Sequence, residues 1–344
     1  MSDPSGERSG ISQPASQVAG PVLVTGVAGF IGSHTAERLM RAGLDVAGVD
    51  NFDGMYDARL KRANVAELVR SAAAPGSGKL HILEADLNDG AAVGRFVDEI
   101  KPRGVIHLAA RAGVRPSIQD PVGYCTANVT ATAALLVHAS RVGCDRFVMA
   151  SSSSVYGNCE HAPFSEEMDV SRPISPYAAT KKACELIGYT HWHLTRMPVG
   201  CLRFFTVYGP RQRPDLAIQM FMTRIARGEP ITLFGQGTRR DYTYIDDIVD
   251  GIIAAYLRIP SHGYRVWNLG SDHPVGLDDM VDTICRAVGR KVDITRREMQ
   301  AGDVVQTWAD LTRAHAELDY RPRTSFEEGV RRQWEWNKAR STDH

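Results

Sequence analysis

Long apolar runs are missing from this chain of 344 residues. No stretch approaches the roughly 20 apolar residues of a membrane span, so the sequence offers no candidate transmembrane helix. A dominant charge is missing too: 40 Lys and Arg stand against 40 Asp and Glu. That balance gives no support to nucleic acid or an anionic membrane as the main partner. Cysteine is sparse and scattered, at Cys125, Cys144, Cys159, Cys184, Cys201 and Cys285. No CxxC pair and no Cys/His cluster of ligand spacing occurs, so neither a zinc site nor a disulfide framework is expected. The thiols read as reduced and mostly buried. His191 and His193 in "THWHL" have no third ligand nearby, and no metal is expected there either. The opening "MSDPSGERSGISQPASQVAG" has no apolar core of the signal-peptide kind. It reads as a disordered tail over residues 1–20, and a cytoplasmic protein is the expectation.

What remains is an ordinary globular composition, 43% apolar and 23% charged, in which strands and helices alternate. "PVLVTG" (21–26), "DVAGVD" (45–50), "KLHILEAD" (79–86), "GVIHLAA" (104–110), "DRFVMASSS" (145–153) and "VGCLRFF" (199–205) are short apolar runs that read as buried strands. Helical spacing fills most gaps, notably around 88–100, 123–142 and 176–196. "YRVWNLG" (264–270) could add a strand. Thr324 and Glu327 in "TSFEEGVRRQWEW" match a capping box that opens a last helix. This cadence predicts an α/β fold with a doubly wound parallel sheet. A smaller, discontinuous C-terminal part covers the strand ends, where ligands bind in such sheets. The expected division is 21–205 plus about 241–271 for the dinucleotide, and 206–240 with 272–344 for the substrate.

Three features carry chemistry. "TGVAGFIG" sets Gly26, Gly29 and Gly32 between the first strand and first helix. Backbone N–H groups and a helix N-terminus could there meet a pyrophosphate. The spacing is GxxGxxG rather than GxGxxG, and tight strand-to-helix turns need glycine anyway. Asp50, at the end of the second strand, strengthens the case. A carboxylate there suits ribose hydroxyls and repels a 2′-phosphate, which favours NAD over NADP. "MASSSSVYG" then ends a strand in four serines, whose hydroxyls could bind a substrate oxygen or form a plain polar turn. Finally, "SPYAATKKACEL" puts Tyr177 and Lys181 four apart on one helix face. A phenol, ionising near pH ~10, is a poor base at neutral pH. A nearby ammonium favours its phenolate, which could take a proton from an alcohol. A lone YxxxK is weak; behind a dinucleotide loop and a serine-bearing strand end it points to an oxidoreductive site.

"TGVAGFIGSH", "SSSSVYG", "SPYAATKKACE", "RFFTVYGPRQRPD" and "RRDYTYIDDIVDGI" together resemble the extended short-chain dehydrogenases/reductases, and within them the nucleotide-sugar epimerases and dehydratases. The resemblance runs from about Val22 to the last helix and implies a Rossmann fold with bound NAD. By motif, it implies that Gly26, Gly29, Phe30, Ile31 and Gly32 hold the phosphates, Asp50 and Asn51 the ribose, and Asp86 and Leu87 the adenine. Leu108, Ala109 and Ala110 would line the pyrophosphate and nicotinamide side. Ser152, Tyr177 and Lys181 take the catalytic positions, and Arg240 a contact to the nucleotide diphosphate. Asp246 and Asp247 are expected to cap a helix.

Dehydratases of this kind place an Asp-Glu pair after the catalytic hydroxyl, where this chain has Ser153 and Ser154. A uronate decarboxylase typically carries an acid near the same place. Both are disfavoured, and a 4-epimerase remains. Thr206 in "RFFTVYGP", Gln300 and Asp303 in "MQAGDVVQ", and the stretches "YDARLK" and "AGVRPS" resemble UDP-glucuronate 4-epimerases. Arg213 and Arg115 are candidate basic contacts to the UDP-sugar, each with a structural alternative. The rivals are a UDP-glucose 4-epimerase, a reductase that consumes NAD(P)H, and a non-catalytic dinucleotide-sensing protein. The resemblance also implies a homodimer paired through the helices near 123–142 and 176–196.

Overall fold

The computed structural model describes residues 20–299 and 304–341. Among the described residues, twelve strands run in chain order: β1 Val22–Thr25, β2 Val46–Asp50, β3 Leu80–Glu84, β4 Gly104–His107, β5 Arg146–Ser152, β6 Val199–Phe204, β7 Thr206–Tyr208, β8 Ile231–Phe234, β9 Arg239–Tyr244, β10 Tyr264–Leu269, β11 Pro274–Gly276 and β12 Ile294–Arg297. A seven-stranded sheet has the order β10-β6-β5-β4-β1-β2-β3, and every pairing in it is parallel. Strands β1, β2, β4 and β6 are buried along their whole length, as apolar strands covered by helices on both faces must be. Strand order reverses between β1 and β4, which opens a crevice at their carboxyl ends. Two small sheets, β11-β9-β7 and β12-β8, stand beyond those ends.

Local chemistry explains the helices around the crevice. Helix Phe30–Arg41 starts straight from the glycine turn, with Gly29 at its N-cap and no side chain capping it. Helix Pro176–Thr195 starts at Ser175, whose Oγ accepts the Ala178 N–H at 3.1 Å. Pro176 follows at a position where a missing N–H costs nothing.

Three expectations need amendment. The helix read over 123–142 is broken: Pro121–Tyr124 is α-helical, Cys125–Thr130 is a π-helical turn, and only Ala131–Arg141 resumes the α-helix. The last helix is Phe326–Ser341, and Ser325 rather than Thr324 caps it. Ser325 Oγ accepts the Glu328 N–H at 3.3 Å, while the Thr324 N–H donates to Asp247 at 3.1 Å. Asp246 and Asp247 do lie in the first turn of helix Ile245–Arg258, but no side chain caps it. Asp247 instead accepts the backbone N–H groups of Arg323 and Thr324.

Candidate active site

A cavity of about 710 Å³ fills the crevice, within the size range of small-molecule sites. The glycine turn forms its floor. Gly26 has φ +69, and a Cβ there would sit 2.8 Å from the Ala109 nitrogen. The turn and the chain leaving β4 therefore touch backbone to backbone. With no side-chain cap, the first N–H groups of helix Phe30–Arg41 remain for a ligand. An anion such as a pyrophosphate fits this donor set. Every residue expected at the cofactor lines the cavity: Gly26, Gly29, Phe30, Ile31, Gly32, Asp50, Asn51, Asp86, Leu87, Leu108, Ala109, Ala110, Tyr177 and Lys181.

The acid corner is more tightly tied than the sequence suggests. Asp50 accepts the Ala28 N–H at 3.1 Å and the Phe52 N–H at 2.8 Å. Lys61 Nζ stands 3.6 Å away, itself buried. This pairing was not legible beforehand, because "YDARLK" gives no sign that its lysine turns inward. Asn51 Nδ2 donates to Asp86 at 2.8 Å and so joins the ends of β2 and β3 on the cavity wall. Burial alone would raise the Asp86 carboxyl. The N–H donors of Asn88 and Asn51, with Arg111 nearby, hold it below its ordinary value.

The groups expected to react come from two elements. Ser152 ends β5, and its Oγ accepts the Ser154 N–H and donates to Ser154 Oγ, both at 3.1 Å. Tyr177 occupies the first turn of helix Pro176–Thr195, anchored by its own N–H to Ser117 Oγ at 3.1 Å. Its ring meets Tyr124 edge to face at 6.3 Å. Lys181, one turn on, is buried and donates to Ala150 O at 2.8 Å. Ser152, Ser153, Ser154, Tyr177, Lys181, Thr206 and Arg213 all face the one cavity.

Arg213 Nε and Nη2 grip Asp215 at 3.0 and 2.7 Å. Its guanidinium also stands 5.8 Å from the centre of the Tyr56 ring. Burial pushes the Tyr56 phenol up to about 12. Arg240 lies apart, on a smaller adjoining cavity of about 170 Å³ shared with Ser153, Ser154 and Thr206. It holds Val304 O at 2.6 Å. Arg115 lines neither space and instead lies 5.5 Å over the Phe234 ring. Gln300 and Asp303 lie outside the described residues.

Sequence reasoning missed the buried layer beneath the site. Asn128, in the π-helical turn, accepts the Arg111 N–H at 2.8 Å and donates to Arg111 O at 3.0 Å and Thr180 Oγ1 at 3.0 Å. An irregular helical turn at a functional site has precedent in protein structures generally. Thr132 donates to Asn128 O at 2.5 Å, so toward His107 Nε2, 2.9 Å away, it acts as acceptor. Thr25 Oγ1 then donates to His107 Nδ1 at 2.7 Å and accepts the Ala109 N–H at 3.2 Å. This chain of bonds is complete only for a neutral imidazole. Burial, and then the charge of Lys181, push His107 down to about 3.

The unfolded chain, near pH ~6.5, accepts a proton that the folded His107 refuses. Stability is therefore full above that pH and is lost as pH falls toward 3. A plot of unfolding free energy against pH between these limits should be shallower for His107→Asn by about 1.4 kcal/mol per pH unit. Equal slopes would place the acid lability elsewhere.

The sequence matches the GDP-mannose 4,6 dehydratase family over residues 23–333. A UDP-glucuronate 4-epimerase of Thermodesulfobacterium geofontis is 40% identical over 321 residues, covering 93% of this chain and 96% of that protein. The crystal structure of a Bacillus cereus UDP-glucuronic acid 4-epimerase, in complex with UDP-glucuronic acid and NAD, superposes with a TM-score of 0.84 at 33% identity. The superposition covers 93% of this chain and 99% of that one. A Thermotoga maritima UDP-glucose 4-epimerase with UDP-glucose superposes with a TM-score of 0.82 at 27% identity, covering 93% and 99%. Sequence motifs, parallel sheet, glycine-floored cavity and these likenesses agree: the chain belongs to the GDP-mannose 4,6 dehydratase family, within the extended short-chain dehydrogenases/reductases.

Proposed function

We propose that this protein is an NAD-dependent UDP-glucuronate 4-epimerase, interconverting UDP-glucuronate and UDP-galacturonate through a 4-keto sugar. One observation carries the reading. Ser152, Tyr177 and Lys181 share a single cavity with the glycine turn, and Ser153, Ser154, Thr206 and Arg213 line that same cavity. Relatives at about 40% identity carry the same named activity.

NAD, when bound, would supply the hydride acceptor for C4 of the sugar and the donor for its return. Gly26, Gly29, Phe30, Ile31 and Gly32 would hold its phosphates, Asp50 and Asn51 its ribose, and Asp86 and Leu87 its adenine, all of them lining the cavity. Tyr177 takes the proton of the C4 hydroxyl and later returns one, Ser152 orients that oxygen, and Lys181 favours the phenolate. The same hydroxyl proton moves out and back, so no acid beyond Tyr177 is needed. That agrees with serines at positions 153 and 154. The 4-ketone beside a C5 carboxylate is a β-keto acid, and epimerisation requires that carboxylate to be held out of alignment. Ser153, Ser154 and Thr206 donate to it, and Arg213 faces it once exchanged from Asp215. Arg240 serves the diphosphate at the neighbouring cavity.

NMR of UDP-glucuronate incubated with purified protein and no added cofactor should show UDP-galacturonate. Turnover of UDP-glucose alone would move the assignment to a UDP-glucose 4-epimerase. Stoichiometric loss of reduced nicotinamide would indicate a reductase.

A homodimer is part of the proposal. Val137 is 60% exposed on helix Ala131–Arg141, and Leu186 and Leu194 are 57% and 75% exposed on helix Pro176–Thr195. Apolar side chains on two adjoining helices suit pairing with a second copy. Sedimentation should give a dimer for the native protein and a monomer for Val137→Glu/Leu186→Glu. A native monomer would rule the pairing out.

A further inference from the structure

Behind the serine wall lies a buried polar cluster that no chemical step uses. Glu185 sits one turn beyond Lys181 on the same helix and is 1% exposed. Its carboxylate accepts Arg203 Nε at 2.8 Å, Arg203 Nη2 at 2.9 Å and Ser151 Oγ at 2.7 Å. Arg203 lies on β6, in register with Ser151 on β5. Its remaining nitrogen, Nη1, donates to the Tyr156 hydroxyl at 3.0 Å. The guanidinium also stands 4.9 Å from the centre of the Tyr156 ring. Tyr156 closes the short 3₁₀ turn Ser153–Tyr156, which carries the two serines. Burial pushes its phenol up to about 12, so it keeps its proton and donates it to Asn268 Oδ1 at 2.7 Å. Asn268 Nδ2 in turn donates to Phe164 O at 2.7 Å and Asp310 O at 3.2 Å.

An ion pair this deep is weak evidence for net stability, because desolvation offsets much of the attraction. What a planar guanidinium fork fixes well is geometry. Here it joins three things: the helix that carries the base, the strand end that carries Ser152, and the turn that carries Ser153 and Ser154. We propose that Arg203, acting through Tyr156, is a positioning residue that sets the Ser153–Ser154 turn against the Tyr177 helix, and so decides whether the sugar keeps its carboxylate. The inference rests on the UDP-uronate reading above.

The competing reaction has a definite balance. When the C5–C6 bond aligns with the C4 carbonyl, it breaks and its electron pair enters a C4–C5 enolate. Carbon dioxide leaves, and C5 takes a proton from water to give UDP-4-ketopentose. The two electrons already removed from C4 stay with the bound nicotinamide. Loss of the carboxylate therefore leaves a mark that epimerisation does not.

Tyr156→Phe keeps the ring and its stacking and removes only the hydroxyl. In this variant epimerisation kcat should fall about 10-fold with KM little changed, a modest misplacement by the standards of enzyme sites. UDP-4-ketopentose and carbon dioxide should appear in equal amounts with a matching rise in reduced-nicotinamide absorbance that stops at one per active site, about ten epimers having formed for each. Glu185→Gln, which perturbs the fork from its other end, should give the same by-product. A lower melting temperature with native kcat and no pentose in both variants would make the cluster merely structural and overturn the proposal. So would failure of both to yield folded, dinucleotide-loaded protein. Native protein inert toward UDP-glucuronate would instead sink the substrate reading, and this inference with it.

Discussion

Purified Tyr177→Phe should fold, retain its dinucleotide and epimerise UDP-glucuronate about 100- to 10,000-fold more slowly than the native enzyme, the usual span for losing a general base. The expectation follows from how the side chain is held. Its backbone N–H is fixed by Ser117 Oγ and its ring leans on Tyr124, so removing one oxygen leaves both contacts in place. Lys181 keeps its bond to Ala150 O. Unfolding temperature and nicotinamide content should therefore match the native protein, while turnover collapses. Ser152→Ala should fall in the same direction but less, since Ser152 orients a hydroxyl and takes no proton. A Tyr177→Phe enzyme within a few-fold of native would remove the phenol from the chemistry, and would revive a non-catalytic dinucleotide-sensing role.

The second large effect is predicted for Gly32→Ala. An added Cβ would sit 2.0 Å from Gly26 O and 2.7 Å from Gly26 C. Both obstacles are backbone, so no side chain can swing aside, and the turn must open. That turn also touches Ala109 and carries the first N–H groups of the helix, which would meet a pyrophosphate. Overpacking of this kind costs about 1–3 kcal/mol, and on the proposed reading the displaced atoms are those that bind the phosphates. Protein from this variant should emerge without bound nucleotide, as measured in the supernatant after acid denaturation, and should melt well below native. Gly54→Ala is the control. Nothing lies within 4 Å of its Cβ position, so a stability change within about 0.5 kcal/mol is expected. Normal nucleotide content in Gly32→Ala would mean that the turn is not where the phosphates bind.

Much of the site was legible because its parts are local. The glycine turn lies within one strand-to-helix junction. Tyr177 and Lys181 are one helical turn apart. Ser152 to Ser154 are consecutive, and the strand ends that carry them follow from the βαβ cadence. Each of these is a short-range pattern with one physical solution. The helix around 123–142 misled for the opposite reason. Its apolar spacing is helical throughout, but the chain widens into a π turn at Cys125–Thr130, where Asn128 bonds both backbone groups of Arg111. The last cap shifted by one residue because Asp247, far away in sequence, claims the Thr324 N–H. Arg115 and Arg213 looked alike as basic contacts, yet one packs on Phe234 while the other reaches the cavity wall.

Sequence alone thus determined the parallel sheet and the glycine turn, and marked Ser152, Tyr177 and Lys181 as the candidate reacting groups, since each depends on neighbours within a few residues. Only the tertiary structure decided what holds them in place. Asp50 with Lys61, His107 between Thr25 and Thr132, and Glu185 with Arg203 and Tyr156 are all pairings across elements. Their partners are chosen by burial: a polar group taken from water must find whichever donor or acceptor the fold brings within reach. No spacing along the chain encodes that choice.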